Sequence, residues 1–270
     1  MTKETKEEEA ETVQPWRTGI TTHDDSHIWF HGHDVTSLMK DATFTDVIFL
    51  LHRGRLPTSA ERRVIDAILI ASADHGPGSP SAAATRVVAT GNRVAPEAPM
   101  AAGILAIGDA HGGAGLACMN LIARGRELVT RERLSIDEAA ERLVGETITA
   151  GQRLPGIGHR THSTDPRTGV LFKMMRDAQL AGDGIQFMEA LEKAAGKSIK
   201  PLPINVDGAI AAILYDLGFP PVMGKLMFII GRVAGLSAQL VEEYTREQPM
   251  RIRIPVVYDG PPPVGSRGKS

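Results

Sequence analysis

Apolar residues recur along this chain at spacings of three and four residues, the period of one face of an α-helix. Alternating runs of β-branched and aromatic residues, which are typical of strands, are scarce, and only 4% of the residues are aromatic. The pattern therefore predicts an all-α fold. The predicted helices cover 34–41, 43–53, 58–72, 80–90, 97–108, 112–124, 136–149, 166–180, 184–195, 204–217, 221–230 and 232–248.

Three of these helices begin with a recognisable start signal. Thr58 is followed three residues later by Glu61, and Ser135 by Glu138. In this capping box the hydroxyl and the carboxylate each bond an amide that the helix leaves unpaired. Asp165-Pro166 places an N-cap residue before a proline at the first helical position, where the missing N–H costs nothing. The sequence thus predicts where these helices begin.

Composition and charge exclude several classes of protein. The 270 residues carry 30 Lys+Arg against 32 Asp+Glu, a net charge of -2, so a nucleic-acid partner is not expected. The single cysteine, Cys118, cannot form an internal disulfide, and Met1–Val13 is rich in Lys and Glu rather than apolar. We therefore expect a cytoplasmic protein. The apolar stretches, such as Ala209–Leu214 and Leu226–Ile230, fall short of the roughly 20 residues that cross a bilayer.

Four histidines close to the start of the chain raise the question of a metal site. Imidazoles at spacings of four and two residues, as in His23, His27, His31 and His33, can converge on one ion. No cysteine or carboxylate set accompanies them, and two aromatic residues lie among them, so a packing or solvated role is favoured and no metal is predicted. The segment Gly112–Gly115 lacks the Lys-Ser/Thr of a phosphate-binding loop.

Polar residues interrupt apolar sequence at four other places. A histidine lies beside glycines in Asp74–Pro77, Gly108–Gly113 and Pro155–Arg160, and Asp207 begins an otherwise apolar helix. Glycine permits close approach of the backbone to a ligand or to a neighbouring helix. Each histidine could also be a hydrogen-bonded core residue, and Asp207 could be a cap, one half of an ion pair or a catalytic group, because an isolated buried carboxylate is costly.

In their order and spacing these motifs resemble the citrate synthase superfamily. Within it they are similar to the citryl-CoA lyase module, which occurs as short stand-alone enzymes and at the end of ATP-citrate lyase. The resemblance covers residues 28–259. It is carried by Trp29–Asp34, Ala73–Pro77, His111–Ala114, Pro155–Arg160, Asp165–Arg167, Asn205–Gly208 and Gly231–Gly235.

The resemblance implies an all-helical subunit with its active site in a cleft between two domains. Residues 21–113 and 219–259 would form the large domain, and 114–218 a smaller inserted domain. Residues 1–20 and 260–270 would be flexible tails. Closure of such a cleft excludes the water that would intercept a reactive enolate. The resemblance also implies a homodimer or a higher homo-oligomer.

The family's chemistry makes or breaks the carbon–carbon bond between a 2-oxo acid and the methyl carbon of acetyl-CoA. Such a reaction requires a base at that carbon, a donor to the thioester oxygen and a proton shuttle at the hydroxyl or ketone oxygen. The resemblance implies that Asp207, His111 and His159 fill these three roles in that order. Asp207 would protonate the enol of acetyl-CoA in the cleaving direction.

The resemblance also implies which residues bind the substrate's carboxylates. Guanidinium groups bind carboxylates in a bidentate manner, and Arg167 and Arg232 match family ligands, with His75 as a further donor. Arg253 resembles the arginine that the partner subunit contributes, although Arg251 could be its counterpart. The substrate is thus expected to be an acyl-CoA together with a small di- or tricarboxylate.

The resemblance places the coenzyme A thioester, as substrate or product, along one loop. Gly156, Ile157 and Gly158 would lie near its adenine or pantetheine, and Arg160 and Lys200 near its phosphates. No tightly bound cofactor is expected.

The residues within these motifs resemble the lyase module and favour a lyase that cleaves (S)-citryl-CoA to acetyl-CoA and oxaloacetate. Synthases are usually well over a hundred residues longer. Two alternatives remain open. One is a citrate synthase or a related condensing enzyme, since His111 resembles the synthase histidine that the ATP-citrate lyase module lacks. The other is a non-catalytic paralogue that binds CoA thioesters.

Overall fold

Eleven helices dominate the part of the chain that the structure describes, residues 15–158 and 165–261 of a computed structural model. The predicted all-α fold class is therefore confirmed. The helices are α1 (Val35–Asp41), α2 (Phe44–Arg53), α3 (Ser59–Ser72), α4 (Pro80–Gly91), α5 (Glu97–Leu105), α6 (Ala114–Glu132), α7 (Ile136–Thr149), α8 (Pro166–Asp177), α9 (Asp183–Ser198), α10 (Val206–Asp216) and α11 (Met223–Arg246).

Three short strands precede the first helix, and the helical periodicity did not predict them. Strand β1 (Thr21–His23) pairs antiparallel with β2 (Ile28–Phe30), which pairs with β3 (His33–Asp34). The turn between β1 and β2 is closed by Asp24, whose Oδ1 accepts hydrogen bonds of 2.8 Å from two backbone amides. Threonine, isoleucine and aromatic residues favour such extended segments.

The predicted helix starts at Thr58, Ser135 and Asp165 are all confirmed. The amide of Thr58 donates to Glu61 Oε2 at 2.7 Å, and the amide of Glu61 donates to Thr58 Oγ1 at 3.2 Å. Ser135 and Glu138 form the same reciprocal pair at the start of α7. These bonds depend only on neighbours in sequence, which is why the sequence predicts them.

Helices α6 and α11 run past a predicted end, and both continue through a glycine. Helix α11 is continuous where a break at Gly231 was predicted, and α6 passes Gly125 and ends at Glu132 rather than near 124. A Cβ atom at Gly231 would lie 2.9 Å from the carbonyl oxygen of Leu69. At Gly125 it would lie 2.1 Å from the ring of Phe187. These glycines permit close packing inside helices and do not end them.

The chain divides into two compact units, residues 1–65 and 66–270. In the described part of the first unit, β2 and β3 pack against α1. In the second unit, α4 and α5 pack against each other and against α11, and α6, α7, α9 and α10 form a second group of packed helices. The predicted division into a large domain and an inserted domain stays a prediction.

Helix α10 lies at the centre of the second unit. It packs against α6, α8, α9 and α11, and the run from Ala209 to Leu214 is buried without interruption. A helix that is apolar on every side is typical of a core position. This packing fixes the first turn of α10, and with it Asp207.

Helix α11 has the length and the apolar character of a membrane span, with a mean hydropathy of 1.3 over its most apolar window. It also contacts α4, α5, α6 and α10 within the second unit. The central helix of a globular fold has the same composition, so its apolar residues are accounted for by packing.

An ion pair at the start of α3 should make the free energy of unfolding depend on pH. Arg55 donates to Glu61 at 3.0 and 2.6 Å, and this pair lowers the pKa of Glu61 from 4.5 to about 2. We expect Glu61→Gln to lower the free energy of unfolding at pH 7 by about 1–3 kcal/mol, because charged hydrogen bonds are lost. The pKa is lower in the folded state, so the difference from wild type should shrink as the pH falls from 5 towards 2.

Chemical denaturation at several pH values measures this difference. Glu138→Gln is the matched control, since it alters an exposed capping box that has no arginine partner among the described residues. It should have the smaller effect. A difference for Glu61→Gln that stays constant down to pH 2 would contradict the role of the ion pair.

Candidate active site

Two adjoining cavities lie in the second unit, and His111 and Asp207 line both of them. One, of about 420 Å³, contains Arg167 and is called here the arginine cavity. The other, of about 510 Å³, is lined by the loop Pro155–Gly158 and is called the loop cavity. The arginine cavity is lined by His75, Gly78, Ser79, Pro80, Ala110, His111, Gly112, Gly158, Arg167, Asn205, Val206 and Asp207.

Asp207 is the second residue of α10 and lies where the two cavities meet. Asn205 is the N-cap of this helix, and its side chain accepts a hydrogen bond from the Gly208 amide at 3.1 Å. The cap is therefore Asn205, which removes capping as the reason for an aspartate at 207. Burial raises the pKa of the Asp207 carboxyl, and the charges of Arg167 and Arg232 only partly oppose this effect.

The loop Pro155–Gly158 is fastened to the chain just before α10. The amide of Gly158 donates to the carbonyl of Pro203 at 2.7 Å, and the amide of Asn205 donates to the carbonyl of Gly156 at 3.1 Å. Gly156 has a φ of +75°, and a Cβ atom there would lie 2.7 Å from Gly208 Cα. Glycine is required at both positions, because the loop backbone touches the first turn of α10.

Arg167 enters the arginine cavity from the first turn of α8. Its Nε and Nη2 donate to the two oxygens of Asp165 at 3.0 and 2.8 Å, and its Nη1 donates to the carbonyl of Ala71 at 3.3 Å. The guanidinium plane is thereby held from two sides. The arginine is oriented before any ligand arrives.

His111 precedes α6 and is held by the start of α4. Its Nε2 receives the amide N–H of Ser81 at 3.3 Å and lies 2.9 Å from Ser81 Oγ. That hydroxyl oxygen also accepts from Arg232 Nη1 at 3.2 Å. Because Nε2 is the acceptor, this pattern assigns the ring proton to Nδ1 of a neutral imidazole.

His75 and Arg232 occupy different depths of the same region. His75 is exposed and lines the arginine cavity in a turn after α3, where Gly76 has a φ of +80°. Arg232 is only 2% exposed; its Nε donates to the carbonyl of Ser72 at 2.8 Å. Burial lowers the pKa of Arg232. Within the described residues Arg232 therefore lies behind Ser81 rather than on the cavity wall.

Some of the predicted site residues are not brought to these cavities. Lys200 and Arg253 are exposed and do not line either cavity as described. His159 and Arg160 lie outside the described residues. Arg251, the alternative to Arg253, donates to both oxygens of the buried Glu243, at 2.8 and 2.5 Å. The guanidinium group of Arg251 is therefore bonded within its own chain.

Three residues of this site were not predicted as functional from the sequence. Ser81 and Asp165 hold His111 and Arg167, and Arg153 lines the loop cavity. Asp165 was predicted as a helix cap and as part of the motif that contains Arg167, and no role in the site was assigned to it. The bond from Ser81 to His111 joins residues 30 positions apart, and no local signal in the sequence identifies such a pair.

The four histidines near the start of the chain do not converge in the described residues. His27 stacks on Trp29 at 5.2 Å and bonds Asp24, and His31 Nε2 lies 3.3 Å from the carbonyl of Leu51. No group of three or more metal-ligating side chains occurs in the described ranges.

The arrangement brings together three chemical capabilities. Asp207 has a raised pKa, so it can hold and release a proton more readily than an exposed aspartate. A neutral imidazole can donate a hydrogen bond to an oxygen on which negative charge develops. Arg167 can bind a carboxylate with the N–H groups that remain. Together they suit proton transfer at a carbon next to a carbonyl group, in a ligand that carries carboxylates.

Comparison with known proteins agrees with this geometry. Residues 58–253 match the family described as citrate synthase, C-terminal domain. The structure of citryl-CoA lyase from Hydrogenobacter thermophilus superposes with a TM-score of 0.84 and is 38% identical, covering 93% of this chain and 96% of that one.

Two further relatives extend the comparison. The structure of ATP citrate lyase from Methanothrix soehngenii, in complex with citrate and coenzyme A, has a TM-score of 0.77 at 21% identity and covers 93% of this chain and 43% of that one. At this identity the likeness concerns the fold. Citrate synthase from Helicobacter pylori is 31% identical over 75% of this chain and 48% of that protein. The chain spans about half the length of the curated citrate synthases that it matches.

A family match across most of the chain and the same fold as a solved relative at 38% identity lead to one conclusion: the chain belongs to the citrate synthase family.

Proposed function

We propose that this protein is a citryl-CoA lyase, which cleaves (S)-citryl-CoA to acetyl-CoA and oxaloacetate. The observation that carries the proposal is the position of Asp207, a carboxyl group with a raised pKa, at the junction of a cavity with an arginine and a cavity with a glycine-rich loop. The similarity to the Hydrogenobacter lyase over nearly the whole of both chains supports cleavage as the reaction.

In this proposal the citryl group binds in the arginine cavity. Arg167 pairs with one substrate carboxylate through its remaining N–H groups, and His75 donates to another. Arg232 lends positive charge from beneath Ser81. The chain of coenzyme A follows the loop cavity past Gly156, Ile157 and Gly158. Arg160 and Lys200 are proposed to meet its phosphates.

The reaction then proceeds by two proton transfers and one bond cleavage. His159 accepts the proton of the citryl hydroxyl, the hydroxyl oxygen becomes the ketone of oxaloacetate, and the electrons of the broken carbon–carbon bond move to the thioester. His111 donates from Nδ1 to the thioester oxygen while it carries negative charge. Asp207 finally gives its proton to the carbon, which becomes the methyl group of acetyl-CoA.

Condensation of oxaloacetate with an acyl-CoA is the second candidate function. The observation behind it is that the curated relatives include citrate synthases and a citrate/2-methylcitrate synthase. The same residues would run each step in reverse, with Asp207 ionised as the base. The two functions therefore share one site and differ in direction.

A homodimer and a cytoplasmic location complete the proposal. The inserted domain, residues 114–218, is proposed to close on the remainder of the subunit during turnover. Arg253 is exposed on a segment that follows α11, and we propose that it reaches the site of a partner subunit. Arg251 does not fit this role, because it is bonded to Glu243.

The proposed function is tested by supplying citryl-CoA and, in a separate reaction, oxaloacetate with acetyl-CoA. We expect release of oxaloacetate from citryl-CoA at a rate typical of enzymes, about 1 to 10³ per second. Oxaloacetate is measured by its reduction with a coupled dehydrogenase, and free thiol is measured in the condensing reaction. Binding of CoA thioesters without turnover in either direction would contradict the proposal and would indicate a non-catalytic binder.

Asp207 provides a test of the mechanism. We expect Asp207→Asn to lower kcat by about 10²- to 10⁴-fold, because the amide cannot transfer the proton. Asp183→Asn, which changes an exposed aspartate at the start of α9, is the matched control and should keep full activity. Turnover like that of wild type in the Asp207 variant would remove this residue from the mechanism.

The pH dependence gives a second measurement on the same residue. Cleavage needs Asp207 protonated, so its rate should fall as the pH rises through the pKa of Asp207. Condensation needs the carboxylate, so its rate should fall as the pH decreases through the same value. Since burial raises this pKa, the inflection of each pH–rate profile, called the pH limb, should lie above the usual aspartate range. The pH limb should disappear in Asp207→Asn.

Arg253 tests the proposed exchange between subunits. We expect Arg253→Ala to raise the KM for citryl-CoA about 10- to 100-fold, because a charged contact to a carboxylate is lost. Arg246→Ala, an exposed arginine at the end of α11, is the control. Mixing Arg253→Ala with Asp207→Asn protein should restore part of the activity if the subunits exchange. A fully active monomer in sedimentation would contradict the exchange.

A further inference from the structure

One buried carboxylate joins the two helix starts that carry Arg167 and Asp207. Asp165 Oδ1 accepts from the amide and from Nε of Arg167, at 3.1 and 3.0 Å. Its Oδ2 accepts from Arg167 Nη2 at 2.8 Å and from the amide of Val206 at 3.0 Å. Val206 is the first residue of α10, and Asp207 follows it directly. A single side chain thus bonds both helices.

The surroundings of Asp165 keep it charged and fixed. Its side chain is 1% exposed, against 28% for Arg167. Burial acts to raise the pKa of Asp165, but the hydrogen bonds from Arg167 and from the Val206 amide outweigh it, and the pKa is lowered. A buried charge with this many donors has one favourable position. Asp165 is therefore a rigid anchor.

The anchor determines which edge of Arg167 faces the cavity. Nε and Nη2 are bonded to Asp165, and Nη1 is bonded to the carbonyl of Ala71. A guanidinium group has five N–H donors in a rigid fork, so two remain, one on each terminal nitrogen. Without Asp165 the side chain would recover rotamer freedom. Ligand binding would then have to order the arginine.

The same carboxylate also fixes the position of the start of α10 relative to the start of α8. Asn205 satisfies the Gly208 amide, and Asp165 satisfies the Val206 amide. Thr168 Oγ1 donates to the carbonyl of Ile204 at 3.1 Å, which adds a second tie between the two helix starts. Asp207 directly follows Val206, so its position relative to Arg167 is set by these two ties.

We propose that Asp165 is a positioning residue that holds the carboxylate-binding edge of Arg167 and the first turn of α10 in one fixed arrangement. It acts through these two elements and does not touch the substrate. This inference rests on the proposed function, since it assigns Asp165 to the geometry of the same site.

The charge of Asp165 has a separate consequence for Asp207. Within the described residues, the charged groups that shift the pKa of Asp207 are Arg167 and Asp165 at the start of α8 and Arg232 in α11. Cys118 in α6 lies close enough to interact with the charge of Asp207, and His75 and His111 line the same cavity. Arg167 and Arg232 lower the pKa of Asp207, and Asp165 raises it. Removing the charge of Asp165 should therefore lower the pKa of Asp207.

The test compares two substitutions that separate charge from position. Asp165→Asn keeps the size and removes the charge; Asp165→Glu keeps the charge and displaces the carboxylate by one methylene. Oxaloacetate binding is measured by calorimetry on the full chain, and the pH limb of citryl-CoA cleavage is measured by initial rates. Asp216→Asn is the matched control, because Asp216 is a half-buried carboxylate that accepts backbone amides at the start of α9.

We expect both Asp165 variants to weaken oxaloacetate binding about 10- to 100-fold, by analogy with the range found when the orienting partner of a metal-binding side chain is lost. Only Asp165→Asn should move the pH limb, and it should move to lower pH. The control should lower the melting temperature and leave both the binding constant and the limb at their wild-type values.

Wild-type affinity for oxaloacetate in Asp165→Asn, whatever its melting temperature, would overturn the inference. Should that variant fail to fold, Asp165→Glu carries the test, and wild-type affinity there would overturn it equally. Failure of the proposed function is distinguishable, since it appears in the wild-type protein as absent turnover and absent oxaloacetate binding.

Discussion

Both arginines near Asp207 are bonded to other groups, and the rest of the site depends on this arrangement. Arg167 is held by Asp165, and Arg232 by the carbonyl of Ser72 and the hydroxyl of Ser81. Across the described ranges, the Asp207 side chain itself forms no hydrogen bond and no ion pair. Its charged form is therefore poorly stabilised, and burial raises its pKa. An ion pair with either arginine would have had the opposite effect.

Helix starts beside the two cavities also favour the binding of anions. Helices α6, α8 and α10 begin beside these cavities, and a helix start carries partial positive charge and unpaired amides. Arg167 adds a full charge on one side. The proton donor and the anion site thus arise from one convergence of helix starts.

Local sequence predicted the parts of the fold that local chemistry determines. The capping boxes at Thr58 and Ser135 and the cap at Asp165 were predicted because their partners are two or three residues away. The glycines inside α6 and α11 were misread as helix ends, because the neighbours that require them, Phe187 and Leu69, are distant in sequence. The short strands were missed because three residues carry too little periodicity.

The sequence motifs predicted most of the residues that line the candidate site, but not the hydrogen bonds that hold them in place. His75, His111, Arg167 and Asp207 do line one cavity, but nothing in the sequence connected Ser81 to His111 or Asp165 to Val206, which lie 30 and 41 positions apart. The bond from Arg251 to the buried Glu243 likewise has no local signal in the sequence. Such pairs are created only by the packing of the helices.

The raised pKa of Asp207 can be measured on the protein alone. Infrared difference spectra of wild type against Asp207→Asn, recorded across a pH series, isolate the carboxyl band of this residue. We expect a protonated carboxyl band in wild type that disappears at a pH above the usual titration range of aspartate, near 3.9. A band that titrates at or below that range would mean that the pKa of Asp207 is not raised.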